Sequence, residues 1–238
     1  MTTSRHLRAY RFVTLGDPAG WRDAIRARAA QLDLKGTVLV AEEGINLNLA
    51  GEATALEDFV GWLRAGAPFA DLQAHYGEAP AIPYRRLKVK HKREIIRMDR
   101  PAIRPAAGRA AALAPSTLAR WLAAGHDDAG QPLALLDTRN GFEVDAGRFA
   151  GAIDWRLARF GEFPAALAAH RAELAGKTVV SYCTGGIRCE KAALLLREQG
   201  VDAWQLDGGI LGYFEVVGAA HFDGRCFVFD EREAITAR

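Results

Sequence analysis

Within six positions the chain places a cysteine, two adjacent glycines and an arginine: Cys183-Thr184-Gly185-Gly186-Ile187-Arg188. Ahead of them runs Thr178-Val179-Val180-Ser181-Tyr182, a short apolar, β-branched stretch of the kind that forms a buried strand. Behind them Cys189 to Gln199 is rich in Ala and Leu and stops at Gly200, which predicts a helix with a glycine cap. A strand-to-helix turn aims several main-chain N–H groups, and the positive end of the helix dipole, at one point. Gly185 and Gly186 let the chain curl tightly enough to do so. A Cys183 thiol held there ionises readily, because its anion is what the turn stabilises. The plainer reading is a packed structural cysteine.

Spacing narrows the chemistry. Four residues separate Cys183 from Arg188, giving C-x4-R where cysteine phosphatases have C-x5-R. The smaller ring suits a sulfur- or oxygen-sized group on the thiolate better than a tetrahedral phosphate. Arg188 either fixes the loop or holds a phosphate. Cys189, six residues on, either resolves an oxidised Cys183 or packs at the helix start. Cys226 reads as a core residue. The three cysteines include no close C-x2-C pair, so no metal site is expected. His75, His91, His126, His170 and His221 are scattered without a triad order, and no Walker loop or dinucleotide fingerprint occurs. No cofactor is therefore expected.

The elements that must position this loop lie in the second half. A helix is predicted over Pro115 to Ala124, strands over Leu133 to Leu136, Gly151 to Ile153 and Ala203 to Leu206, and helices near Phe163 to Leu174 and after Leu206. Strands alternating with helices indicate a doubly wound parallel sheet. Such sheets bind ligands at the carboxyl ends of their strands, where Cys183 and Asp137 both fall. Asp99 to Pro115, with three prolines among alanines, reads as a linker.

The first half reads differently. Strands over Leu7 to Thr14, Gly36 to Ala41 and Ile45 to Ala50, helices over Trp21 to Leu32 and Ala55 to Leu63, and extended segments near Leu72 to Tyr76 and over Leu87 to Met98 give the order β-α-β-β-α-β with one strand more. That is a ferredoxin-like α+β domain. Arg85, Arg86, Lys88, Lys90, Lys92, Arg93 and Arg97 face one acid, Glu94, in thirteen residues. This segment carries +6 of a formal total of +2, leaving the rest of the chain at −4. Alternation sets Lys88, Lys90 and Lys92 on one face and Leu87, Val89 and His91 on the other. The concentration marks a phosphate-backbone partner, with a lysine-protected edge strand as the competing reading. The 238 residues, half of them hydrophobic, bury a proper core. No run approaches a membrane span, Met1-Thr2-Thr3-Ser4-Arg5 opens no signal-peptide core, and an odd cysteine count makes no disulfide framework. A cytoplasmic protein with no membrane partner is expected.

Taken with these motifs, the string Tyr182 to Lys191 resembles the active-site loop of the rhodanese superfamily, and in particular its tRNA uridine hydroxylase branch. Asp137-Thr138-Arg139, Glu143 with Gly147, Gly151-Ala152-Ile153 and Leu206-Asp207-Gly208-Gly209 are similar to the rhodanese frame, although Arg148 and Ala150 stand where many members have histidine and proline. Gly36 to Asn46, Leu87 to Ile95 and Cys226 to Arg232 resemble features of the branch. The resemblance implies residues 1–98 as a ferredoxin-like tRNA-binding domain, 99–114 as linker, 115–225 as a rhodanese-like catalytic domain and 226–238 as a terminal segment. It implies oxygen-dependent conversion of the wobble uridine (position 34) of tRNA to 5-hydroxyuridine. Cys183 would be catalytic, Thr184 to Arg188 would form the loop, and Cys189, Asp137 and Arg139 would support it. Arg85, Arg86, Lys88, Lys90, Lys92 and Arg93 would bind tRNA, with molecular oxygen as co-substrate. A persulfide-carrying sulfurtransferase is the nearest rival, and an inactive RNA-binding module the next.

Overall fold

The computed structural model describes residues 4–79 and 81–237; Met1 to Thr3, on which the signal-peptide expectation partly falls, lie outside the described residues, as do Pro80 and Arg238. The chain divides into two compact units, Met1–Arg97 and Met98–Arg238.

The first unit runs β1 (Ser4–Phe12), α1 (Pro18–Gln31), β2 (Lys35–Ala41), β3 (Gly44–Gly51), α2 (Ala53–Ala65), β4 (Ala74–Ala79) and β5 (Leu87–His91). Its sheet has the order β4-β1-β3-β2-β5. All neighbours are antiparallel except β5, which adds to β2 in parallel. This is the ferredoxin-like arrangement with one further edge strand. Asp17 starts α1 by accepting the Gly20 N–H at 2.8 Å, with Pro18 in the first turn, where a missing N–H costs nothing. Alternation sends Leu7, Ala9, Val38, Val40, Ile45, Leu47, Leu49 and Val89 into one core with Ile25, Ala29, Leu56, Phe59 and Leu63 of the helices.

The last strand is shorter than alternation predicts. Lys92 N–H still donates to Val40 O at 2.8 Å, but the Glu43 carboxylate then takes the Ile95 N–H at 2.8 Å. Beyond His91 the segment is no longer a strand, and Ile95 and Met98 are buried there. His91, expected beside Val89 on the apolar face, is exposed at the strand's end.

The second unit runs β6 (Ala112–Leu113), α3 (Pro115–Ala124), β7 (Leu133–Asp137), α4 (Gly141–Ala146), β8 (Gly147–Phe149), β9 (Ile153–Asp154), α5 (Phe163–His170), β10 (Thr178–Tyr182), α6 (Ile187–Glu198), β11 (Ala203–Leu206), α7 (Gly209–Val216), β12 (Phe222–Gly224), β13 (Cys226–Phe227) and β14 (Ala234–Ile235). The main sheet, β6-β11-β10-β7-β9, is parallel throughout. Its middle strand β10 is buried at every residue, as its unbroken apolar run requires. Around it α3 packs on α7 and α5 on α6. Two small antiparallel ribbons, β8 with β12 and β13 with β14, complete the unit.

One stretch differs from expectation and another agrees with it. Residues 99–114, read as a linker, bury Ile103, Ala110 and Leu113 and supply β6, because Gln205 and Asp207 N–H groups donate to Ala111 and Leu113 carbonyls at 3.0 Å each. In the terminal stretch Cys226 lies in the second unit's core, as its reading as a core residue expects, with Ile235 packed against it.

Candidate active site

Cys183 follows β10 directly, and Gly186 takes a left-handed conformation (φ 98°) as the cap of α6. That turn brings the Gly186 N–H onto Cys183 Sγ at 3.1 Å. The helix starts at Ile187, two residues earlier than predicted, so Arg188 and Cys189 belong to its first turn and their N–H groups also point at the sulfur. Burial pushes the Cys183 thiol up. The Cys189 S–H, the Arg188 charge and the N–H groups of Cys189 and Arg188 outweigh it and bring it down to about 5. The sulfur is a thiolate at neutral pH. It is also 1% exposed, sealed inside the amides that stabilise it.

Cys189 is the proton-bearing partner. Burial, and then the neighbouring Cys183 anion, hold its thiol well above the usual range. Its Sγ donates to Gly186 O at 2.9 Å.

The arginine is not free to reach outward. Arg188 Nη1 and Nη2 donate to the two oxygens of Glu143 at 2.5 and 2.7 Å, and both side chains are buried. Burial alone would lower the Arg188 pKa, but the Glu143 pairing more than reverses it. Glu143 is fixed in turn as the third residue of α4, where its Oε2 accepts the Asn140 N–H at 3.0 Å in a capping box. Below it Arg139, wholly buried, donates twice to Asp137 (Nε–Oδ1 2.9 Å, Nη2–Oδ2 2.6 Å) and to the carbonyls of Glu143 (3.3 Å) and Gly147 (2.8 Å). Asp137 therefore orients Arg139, Arg139 holds the α4 backbone, Glu143 holds Arg188, and Arg188 sits beside the thiolate.

The loop's carbonyls are used from the other side. The unsatisfied N–H groups at the start of α7 meet them: Ile210 N–H donates to Cys183 O at 2.9 Å and Leu211 N–H to Thr184 O at 3.1 Å. With its carbonyls turned toward α7, the loop presents its amides to the sulfur. The approach needs Gly209, with φ 63°, where a Cβ would stand 2.4 Å from Cys183 O and 2.8 Å from Gly186 N. Thr184 Oγ1 lies 3.5 Å from both Glu143 Oε1 and Phe227 O. Cys226, next along, is pushed up to about 12, by burial first, and stays a thiol.

The first unit presents a different surface. On the sheet face turned away from its helices, registered rows cross the strands: Lys88, Thr37, Asn48, Arg8 and His75 in one, Lys90, Leu39, Asn46 and Tyr10 in the next. Arg85, Arg86, Lys88, Lys90, Lys92 and Arg93 are all exposed. Among the described residues no group of three or more His, Cys, Asp or Glu is placed to hold a metal ion. No helix among them is long and apolar enough to cross a membrane.

Comparison with known proteins meets this geometry at both units. Residues 5–95 match the UPF0176 acylphosphatase like domain, and residues 117–215 the Rhodanese-like domain. A tRNA uridine(34) hydroxylase of Bordetella pertussis is 59% identical over 238 residues, covering 100% of this chain and 98% of its own. One of Variovorax paradoxus is 60% identical, covering 97% of this chain and 88% of its own. One of Ralstonia nicotianae is 55% identical over 98% of this chain and 83% of its own. The chain belongs to the tRNA uridine(34) hydroxylase family.

For a member of this family, the structure gathers Cys183, Thr184, Gly185, Gly186, Ile187, Arg188 and Cys189 into one cradle. Asp137 and Arg139 touch neither sulfur nor loop opening; they act through α4. Sequence reasoning placed Glu143 only within a pattern and left Gly209 as part of a turn, and these two hold the cradle from either side. The Asn140…Glu143 capping signal could have marked the first as a helix start. Its grip on Arg188 spans 45 residues and leaves no local trace.

Proposed function

We infer that the chain hydroxylates the wobble uridine of tRNA at C5, with the Cys183 thiolate as its reactive group. The reading rests on one observation: in a chain related end to end to tRNA uridine(34) hydroxylases, the Gly186 N–H donates to a Cys183 sulfur kept ionised in a closed amide ring. Exposed cations from Arg85 to Arg93, with the polar rows on the helix-free sheet face, support tRNA as the partner. A tRNA substrate supports a cytoplasmic location.

Uridine C5 does not meet oxygen unaided. In one route the thiolate adds to C6, forming an S–C6 bond and moving the electron pair of the C5–C6 double bond toward C5 and the O4 carbonyl. In the other, Cys183 carries one oxygen atom from molecular oxygen as a sulfenic acid and delivers it to C5, the S–O bond breaking and the thiolate returning. In both, the amides around Sγ stabilise negative charge on the bound group. The sulfur, 1% exposed, favours the second route, since addition would need C6 to come into bonding contact with Sγ itself. Molecular oxygen is the co-substrate. Inserting one of its atoms at C5–H and releasing the other as water draws two electrons and two protons from an external donor. Asp137, Arg139, Glu143 and Arg188 keep the loop in shape.

The test is nucleoside mass spectrometry of tRNA from cells lacking the protein and cells restored with it. 5-Hydroxyuridine and nucleosides made from it should vanish and return. If they persist without the protein, the reading fails. Fast thiocyanate release from thiosulfate and cyanide, with tRNA unchanged, would instead make it a sulfurtransferase. An RNA carrying 5-fluorouridine at position 34 separates the routes: a trapped covalent adduct shows addition to C6, and a one-atom mass increase on Cys183 shows the carrier.

A further inference from the structure

Three phenylalanines meet beside the cradle in a mutually edge-to-face corner. Phe142 lies 5.2 Å from Phe227 (87° between ring planes) and 6.3 Å from Phe229 (88°), and Phe227 lies 5.2 Å from Phe229 (79°). Phe227 is half-buried, but Phe142 is 50% and Phe229 65% exposed. Exposed large apolar side chains number four among the described residues, and two of them are here. Single exposed apolar residues are ordinary; a fixed cluster marks a contact surface.

Its location ties it to the reaction. Phe142 immediately precedes Glu143, which grips Arg188. The Phe227 carbonyl is 3.5 Å from the hydroxyl of Thr184, the residue after Cys183. α4 and β13 pack together, so the corner and the cradle share one support. The tRNA reading requires the target uridine to leave the anticodon stack, and its neighbours then lose a stacking partner. Rigid rings set at right angles offer a flat face and an edge to a planar base, unlike the adaptable aliphatic grooves that receive helices.

Resting on that reading, we propose that Phe142 and Phe229 form a stacking platform for an unstacked base of the anticodon loop next to the uridine being modified. Stacking tolerates any base, so the platform positions the loop and the cradle selects the atom. It is a positioning surface, and no atom of it enters the chemistry.

The experiment uses the full chain and an anticodon stem-loop RNA with uridine at position 34 and fluorescent 2-aminopurine beside it. The wild-type protein should hydroxylate the RNA and change the 2-aminopurine signal on binding. Phe142→Ala/Phe229→Ala should remove most of that change and weaken binding and kcat/KM roughly 5- to 100-fold, mainly through KM. The acid limb of its kcat profile should stay at wild-type pH, showing an intact cradle. Phe142→Tyr/Phe229→Tyr should restore both signals. Should the double alanine variant not fold, Phe229→Leu, at the most exposed ring, is read in its place. A double variant that binds and reacts like wild type overturns the platform. So does one whose sedimentation changes while RNA affinity does not, since the corner then covers a protein surface. Wild-type protein that never hydroxylates the RNA sinks the functional reading instead, which keeps the two failures apart.

Discussion

The two units use charge in opposite ways. In the first, six cations from Arg85 to Arg93 are exposed, and they gather around one edge strand. In the second, Arg139 and Arg188 are buried and each is held by a carboxylate through two hydrogen bonds. Exposed cations act additively and are screened by salt. A buried pair is all or nothing, because removing one partner strands the other in a poor dielectric. On the proposed reading the first surface would tolerate substitution and bind a polyanion by sum. The second holds one sulfur in one state.

Losses should be graded accordingly, and the largest lies at the sulfur. Cys183→Ala should abolish 5-hydroxyuridine formation while leaving tRNA affinity near wild type, measured side by side on one preparation. Activity without Cys183 would erase the contrast between the units, since the second would then hold nothing special.

Arg188→Met comes next. It removes the charge that helps hold Cys183 near 5 and strands the Glu143 carboxylate, at a stability cost of about 3–5 kcal/mol read from denaturant unfolding. With burial less opposed, the thiol should titrate above its wild-type value of about 5. The sign is definite. The wild-type rate should hold from neutral pH down and fall as pH drops through about 5, while the variant's acid limb should move to higher pH. Arg188→Lys keeps a charge without the two-pronged geometry and should fall between. An unshifted acid limb in Arg188→Met would show that the Cys189 S–H and the amides ionise the sulfur without the arginine.

Gly209→Ala tests the bracing from α7. The added Cβ would stand 2.4 Å from Cys183 O, a backbone atom that cannot swing aside. Displacing the loop by about 1 Å should lower kcat on the order of 100-fold. The variant should fold, since the clash is confined to one turn, and a circular dichroism spectrum like that of wild type is expected.

How far these differences could be read beforehand follows from where each signal resides. The parallel sheet, the ferredoxin-like order and the Cys183 turn are written in local patterns: β-branched runs, alternation, and glycines between a strand and a helix. α4 was missed because six residues offer no helical period, and β6 because two residues flanked by prolines and alanines look like linker. The end of β5 at His91 was unreadable because the segment beyond it is held by side chains far off in sequence, such as the Glu43 carboxylate on the Ile95 N–H. The chain Asp137–Arg139–Glu143–Arg188 runs between elements far apart in sequence, so residue types raised those positions without disclosing who holds whom.

The smallest effect is expected on the first unit, and its form matters more than its size. Lys88 and Lys90 are exposed on one face of β5, in register with Thr37 and Leu39 of β2. Lys88→Ala/Lys90→Ala removes two charges from a cluster of six, so tRNA binding should weaken only about tenfold near physiological salt. The slope of log affinity against log salt should fall by about one for each phosphate that is no longer neutralised. kcat at saturating tRNA should be unchanged, because neither lysine belongs to the cradle. A slope identical to wild type would mean that these lysines only guard an exposed edge from pairing. A fall in kcat with the slope intact would reverse the division of labour, tying the edge strand to the chemistry and not to the polyanion.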